Sequence, residues 1–507
     1  MAKKNKKNTG EIITRAPVVA IMGHIDHGKS TLLDYIRKEN TVDKEAGGIT
    51  QHVAAYEVEY NGKKITFIDT PGHEAFAAAR SRGANIADIA VLVVAADDGV
   101  KEQTLGAIKF IKDSKIPFIV AINKIDKENA DIQRTKNTLL ENEIYLEGMG
   151  GDISYNEISA LKGTGVNELL ETILLTAELE DLKADTGKLG TGYILESKTD
   201  PKKGISATMI LKDGHIKTGE YIVSGYSSSP VRIMEDFTGK ALREAIPSAA
   251  ITITGFDTIP SAGNSFAVFE NKKEALKYID ELKDLEREQE EAEKKVERVG
   301  RRKKNQKHVF PLVIKADVQG SVDAIKHQLA KIDNERAEFK IILAEAGNIG
   351  EKEIKALAGA EKSTIVGFNV SVDRNTQLKA ENLKIEIKTF NIIYELEDYL
   401  KERLVQLTPK ETFEEVTGEA KILKQFSWTN KGGVVGGEVI SGELKKTDKI
   451  KIYRRDVFLG EAEIEALQHG KQAVDKISEG QQFGINLISK YEIIEGDKLE
   501  AITIVEK

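Results

Sequence analysis

The stretch Gly23-His24-Ile25-Asp26-His27-Gly28-Lys29-Ser30 constrains this chain more than any other feature. It follows an apolar run, Val18 to Met22, and leads into Ser30 to Arg37, where Leu32, Leu33 and Ile36 fall on one helical side. Strand, loop and helix in that order, with G-x-x-x-x-G-K-[ST] at the junction, predict a phosphate-binding loop. Gly23 and Gly28 let the backbone curl until successive N–H groups converge on an anion. The helix that follows adds its positive N-terminal end. Lys29 supplies a point charge for the outer phosphates, and the Ser30 hydroxyl is a candidate ligand for Mg²⁺. The histidines and aspartate of the loop are not explained by this chemistry.

Three further segments complete a nucleotide site. Asn61-Gly62 is a strong hairpin turn joining AAYEVEY to ITFID. That second strand ends in Asp69-Thr70-Pro71-Gly72, D-x-x-G. Asp69 can hold Mg²⁺ through water, and the Gly72 N–H can meet a γ-phosphate with no side chain in the way. PFIVAINKID ends in Asn123-Lys124-Ile125-Asp126, N-K-x-D, whose carboxylate can accept from guanine N1–H and the 2-amino group together. Adenine offers no such donor pair. Ser159-Ala160-Leu161 then presents backbone N–H groups to the guanine O6. Each piece alone is an ordinary turn or solvated loop. All four in order, each after an apolar strand, predict a domain that binds GTP rather than ATP.

Four of the eight histidines (His24, His27, His52, His73) lie in these loops. His24 and His27 are read as solvent-exposed or as holding the loop in shape by a hydrogen bond. His73 directly follows Gly72, within reach of a water attacking the γ-phosphate, and is the catalytic candidate. Phosphoryl transfer needs positioning more than covalent chemistry.

Composition sets the outer limits. With 507 residues there is chain for three or four domains. The absence of cysteine excludes disulfides, thiolate metal sites and cysteine nucleophiles. No apolar run reaches the length of a membrane helix, and MAKKNKKNTG has no apolar region behind its charges, so a cytoplasmic location is expected. A net charge of −8 argues against blanket binding to nucleic acid but leaves local basic patches open.

Beyond the nucleotide domain (16–183, after a basic tail, 1–15), residues 188–270 alternate between strands and Gly-rich turns and read as a β-barrel. Residues 271–307 are charge-dense and read as an exposed helical linker. Its basic run, Arg301 to Lys304, is either a contact for RNA phosphates or a solvated linker end. Residues 308–390 read as a small α/β domain, in which Gln319-Gly320-Ser321 opens a helix as a cap. Asn391 to Leu407 has apolar positions at 392, 393, 396, 400, 404 and 407, an amphipathic connecting helix (391–408) that Pro409 ends. Residues 411–507 read as a second β-barrel. The expected fold class is thus multidomain α/β and β: a P-loop GTPase domain, β-barrel, small α/β domain, long connecting helix and C-terminal β-barrel.

GHIDHGKS, DTPGH and NKID together resemble the translational GTPases, the family of elongation and initiation factors. AGGITQHVAAYEV, VIKADVQGSVDAI, ILAEAGNIG, IVGFNV and NIIYELED resemble its initiation-factor branch, over nearly the whole chain from Ala16 onward. The resemblance implies that Thr50 is the switch threonine meeting Mg²⁺ and the γ-phosphate, and that Asp69 and Gly72 belong to the second switch. It implies that His73 orients the nucleophilic water when the ribosome engages. It further implies a monomer with GTP/GDP and Mg²⁺ as cofactors, and as partners both ribosomal subunits, ribosomal RNA, initiator formylmethionyl-tRNA and other initiation factors, with no membrane. The connecting helix would carry the terminal domain like a lever, and that domain would take the tRNA end at Phe426, Gly437, Gln482, Phe483 and Gly484.

The chain departs from the family's pattern in that pocket. Gly437 stands where a cysteine is common, Gln482-Phe483 where glutamate-cysteine is common, and Gln468-His469-Gly470-Lys471 replaces an arginine-rich stretch. About fifteen residues precede the GTPase domain where the family often has a long extension. Other functions fit parts of the chain, among them another translational GTPase; the two from different classes are a GTPase subunit of a sulfate-activating-like metabolic complex, and a tRNA-binding or chaperone-like protein with GTP as a structural ligand. The segments from His308 onward weigh against the first, and the full Thr50, Asp69, Gly72, His73 set against the second.

Overall fold

A computed structural model of the chain describes residues 11–38, 52–72, 74–200, 202–294, 307–332, 334, 336–360, 362–408, 412–429, 431–470 and 472–506. Thr50, His73 and the basic run 301–304 lie outside them. The chain divides into two compact units, residues 1–407 and 408–507.

The first unit opens with a short strand β1 (Ile12–Thr14), followed by β2 (Val18–Gly23), β3 (Ala54–Tyr60), β4 (Lys63–Asp69), β5 (Ile89–Ala95), β6 (Phe118–Asn123) and β7 (Tyr155–Glu157). Strands β2 to β7 form one sheet in the order β3-β4-β2-β5-β6-β7, parallel except for the β3–β4 hairpin. Helices α1 (Lys29–Arg37), α2 (Ala77–Ile86), α3 (Glu102–Ser114), α4 (Ile132–Glu141) and α5 (Val166–Leu179) make the crossovers. Central β5 is buried at every position, as a parallel strand covered on both faces must be. The hairpin turns at Asn61 (φ 50°) and Gly62 (φ 74°), both left-handed, which is the twist-matched two-residue turn. Strand order reverses around β2, so the loops after β2, β4 and β6 meet at one edge of the sheet.

The basic tail is shorter than the sequence suggests. β1 pairs antiparallel with β8 (Lys183–Asp185) beyond the last helix of the domain. Arg15, buried with Asp88, makes paired contacts to its carboxylate at 2.6 and 2.7 Å. Isolated polar flanks had hidden these long-range partners.

Residues 191–269 form a seven-stranded antiparallel sheet built around Thr191–Asp200 and Gly204–Asp213. It curls until Asp257 N–H donates to the Ser228 carbonyl at 3.0 Å, closing the barrel. The helix Lys272–Lys294 begins the segment read as an exposed linker, yet Ala275 and Ile279 are buried against Val223 of the barrel. Small and branched residues four apart gave one apolar stripe too narrow to stand out among charges.

Strands Ala337–Ala346, His308–Ala316, Thr364–Phe368 and Glu386–Phe390 lie in that order in a four-stranded parallel sheet. Its helices are Gln319–Lys331, Glu351–Ala356 and Arg374–Asn382, the last not foreseen although Asp373 caps it through Asn375 and Thr376 N–H. The amphipathic helix Ile393–Leu407 buries Ile393, Leu396, Leu400, Leu404 and Leu407. Ile393, Leu396 and Leu400 join the core of this α/β domain, so the stripe belongs to a docked helix rather than a free-standing lever.

The second unit is a closed antiparallel barrel. Its order runs Thr412–Thr429, Lys498–Glu506, Lys449–Arg454, Val457–His469, Gln482–Ile488 and Gly432–Lys445, which returns to the first strand.

Candidate functional site

The phosphate loop is shaped by backbone the sequence makes unavoidable. Gly23 (φ 146°) sits so close to β5 that a Cβ would meet the Val93 carbonyl oxygen at 2.3 Å. Gly28 (φ 87°) precedes α1 in the left-handed region and leaves room for the Asn123 amide. Lys29 is buried beside Asp69, and burial pushes its ammonium down to about 8. Its Nζ donates to the His24 carbonyl at 2.7 Å. Ile25 N–H donates to Gln103 Oε1 at 3.1 Å, a contact no loop motif announces.

Asn123 ties the site together. Its Nδ2 donates to the His27 carbonyl of the phosphate loop at 2.8 Å, and its Oδ1 accepts from Ala160 N–H at 2.9 Å. One buried amide therefore fixes the phosphate loop and the base loop to the end of β6. Ser159 Oγ donates to Asp126 Oδ1 at 2.7 Å and holds that carboxyl below its ordinary range. An ionised Asp126 is what guanine recognition needs. Leu161 is exposed on the same loop.

At the end of β4, Asp69 pairs with Ile21 of β2, and Thr70 Oγ1 donates to the Ile21 carbonyl at 2.7 Å. Pro71 and Gly72 are buried, and a Cβ on Gly72 would lie 2.6 Å from Lys29 Nζ. The phosphate loop, D-x-x-G, N-K-x-D and Ser159–Leu161 thus converge as their order in the chain predicts.

The loop histidines are packed rather than hydrogen-bonded: His24 Nδ1 and both His27 ring nitrogens have no hydrogen-bond partner among the described residues. The His27 ring is buried, 3.5 Å from an Asp98 oxygen and 4.9 Å from the His24 ring. Burial pushes His27 down to about 4, with His24 adding repulsion, so both act as neutral packing groups near pH 7. His24, His27 and Asp98 bring ligating atoms within 4.8 Å of one another. Asp98 is already engaged by His27 and by Lys101 at 2.7 Å.

The opening of the helix Gln319–Lys331, read as a cap, receives an anion from another domain. Gly320 N–H donates at 3.0 Å to Glu196 Oε1 of the barrel, a carboxylate that burial pushes above its usual range and Arg82 pulls back. Alongside it, His52 approaches Asp317 at 3.3 Å and Arg82 approaches Asp323 at 3.7 Å. At the far end of this helix Lys331 pairs with Glu74.

In the C-terminal barrel the five pocket residues split between faces. Phe426, Gln482 and Gly484 lie outward; Phe426 is 63% exposed and a Cβ on Gly484 would meet open space. Gly437 and Phe483 face inward: Phe483 is core, and its ring fills the space a Gly437 side chain would take, 2.7 Å from that Cβ. Adjacent residues of a strand point to opposite faces, so Phe483 cannot share the outer face with Gln482 and Gly484. Gly436, opposite Gly484 and against Phe426, takes the place on the outer face assigned to Gly437.

Fold and site define a guanine-nucleotide-binding protein of the translation-factor class. The Elongation factor Tu GTP binding domain model matches residues 14–178, the Elongation factor G domain 2 model 190–269, and the Translation-initiation factor 2 model 285–401. Translation initiation factor IF-2 of Halothermothrix orenii is 41% identical over 510 residues, 99% of this chain and 74% of the relative. That of Carboxydothermus hydrogenoformans is also 41% identical, over 97% of this chain and 60% of its own length. A crystal structure of GDP-bound aIF5B from Aeropyrum pernix aligns over 96% of this chain and 92% of its own, at 24% identity and a TM-score of 0.46. The chain belongs to the translation initiation factor IF-2 family.

Proposed function

We propose that this chain hydrolyses GTP as a translation initiation factor, promoting initiator-tRNA binding to the small ribosomal subunit and then subunit joining, in the cytoplasm. The observation that carries the nucleotide half is the Asn123 bridge between phosphate loop and base loop. It makes guanine recognition and phosphate binding one rigid event. Lys29 would turn from the His24 carbonyl toward the outer phosphates, and Gly72 N–H would meet the γ-phosphate. Mg²⁺ spreads the developing charge over the phosphate oxygens when bound. Ser30, Thr50 and, through water, Asp69 would hold it, a donor set of hard oxygens that suits this cation. His73 would orient the attacking water. Initiator tRNA would meet the outer face of the C-terminal barrel at Phe426, Gln482 and Gly484.

The test is multiple-turnover GTP hydrolysis with and without ribosomes and formylmethionyl initiator tRNA, for the natural chain and His73→Ala. Strong ribosome stimulation in the natural chain, lost in His73→Ala with GTP affinity retained, is expected. Equal turnover in the two would remove His73 from the mechanism. Absence of any stimulation would reject the initiation role.

A further inference from the structure

Helix α2 carries an arginine that none of the nucleotide motifs includes, and the chain buries it. Arg80 is 4% exposed. Its Nη1 donates to the Gly72 carbonyl at 3.0 Å and to the Pro71 carbonyl at 3.3 Å. The Phe110 ring stands 5.8 Å from its guanidinium carbon. Burial lowers the group to about 10, against the pull of Glu74, so it stays charged near neutral pH. Desolvating a guanidinium is expensive, and two backbone carbonyls are among the groups it holds.

Those carbonyls are informative because a peptide unit is planar and trans. The Pro71 carbonyl shares its plane with the Gly72 N–H, and fixing one direction fixes the opposite one. The Gly72 carbonyl is held by the same Arg80 nitrogen, so one side chain fixes two consecutive carbonyls of the D-x-x-G segment. The fork of N–H groups on a guanidinium suits this task better than an ammonium on a flexible stem.

We infer that Arg80 is a positioning residue that pre-orients the Gly72 N–H toward the γ-phosphate. This rests on the proposed role of Gly72. Arg82, two residues on and so near the opposite side of the helix, instead faces Asp323 and Glu196 at the junction with the α/β domain. The two arginines of α2 therefore divide between the nucleotide loop and the domain junction.

The experiment compares Arg80→Met and Arg80→Lys in the full chain, measuring dissociation constants for GDP and for a non-hydrolysable GTP analogue with Mg²⁺. Only the analogue needs the Gly72 contact. Arg80→Met is expected to bind GDP within about twofold of the natural chain and the analogue about tenfold more weakly, the scale of one charge-assisted hydrogen bond. Arg80→Lys, able to reach one carbonyl at a time, is expected to fall between. Ribosome-stimulated kcat would drop while the ribosome concentration for half-maximal rate stays unchanged. Equal weakening for both nucleotides, or an unchanged analogue-to-GDP ratio in both variants, would overturn the inference. If Arg80→Met fails to fold, the ratio in Arg80→Lys decides. A natural chain that ribosomes do not stimulate would sink the proposed function, and the nucleotide ratio would still judge Arg80.

Discussion

Replacing Asn123 with alanine removes a side chain that joins the two nucleotide loops. Both of its hydrogen bonds, at 2.8 and 2.9 Å, are buried. The substitution leaves the His27 carbonyl and the Ala160 N–H without the partner that Asn123 gave them. Leaving a buried polar group without its partner costs about 1–3 kcal/mol, and some relaxation toward water is open to a surface loop, so the pair is worth about 2–4 kcal/mol. If the loops separate before nucleotide binds, that energy appears as affinity, about 30- to 1,000-fold in the GDP dissociation constant. If they stay in place, it appears as lower thermal stability of the nucleotide-free chain. The assay therefore measures both, by fluorescent-GDP titration and by melting with and without GDP. Asn123→Asp keeps an acceptor for Ala160 but turns a carboxylate toward the His27 carbonyl, and is expected to be no better than alanine. An alanine variant with affinity and melting temperature both unchanged would refute the bridge as a structural tie.

Asp126→Asn is expected to exchange guanine for xanthine preference, because the new amide donates to a 2-oxo group where the carboxylate accepted from an amine; unchanged guanine selectivity in competition would show the base pocket is misassigned. Gly320→Ala would bring a Cβ to 2.6 Å from Glu196 Oε2 and 2.9 Å from Arg82 Nη2, destabilising the chain by about 1–3 kcal/mol in urea unfolding as an overpacked site does. Wild-type stability would mean the junction has slack. His27 is held at about 4 in the folded chain against an ordinary 6.5, so between those values the unfolded chain binds more protons. Stability should fall as pH drops from about 6.5 to 4, by up to about 3 kcal/mol, and level off below. His27→Gln should flatten that part of the pH profile in denaturant titrations, and an unchanged slope would put it on other groups.

The phosphate loop was legible because its geometry depends on glycine at Gly23 and Gly28, which only a few residue types can replace. The β3–β4 hairpin was legible for the same reason at Asn61-Gly62. Arg80 was not, since its partners are carbonyls, and a carbonyl leaves no trace in a sequence. Glu196 and Gly320 lie 124 positions apart, beyond the reach of any local pattern, so the helix opening read only as a cap. In the C-terminal barrel Gly437 and Phe483 turn inward, because Gln482-Phe483-Gly484 are consecutive in one strand and Gly437 pairs with Phe483. A motif read as a run of neighbours does not register that side chains alternate between faces.

The helix Gln319–Lys331 is clasped at both ends by the nucleotide domain: Asp317, just ahead of it, by His52, and Lys331 by Glu74. His52 stands two residues after Thr50, and Glu74 two residues after Gly72. Thirteen helical residues make a rod about 20 Å long, stiff on the scale of loop motion. A rod clamped at two points tilts when one clamp shifts and slides when both shift together. A shift of either loop would therefore reach one end of this rod, and a shift of both would reach its two ends together.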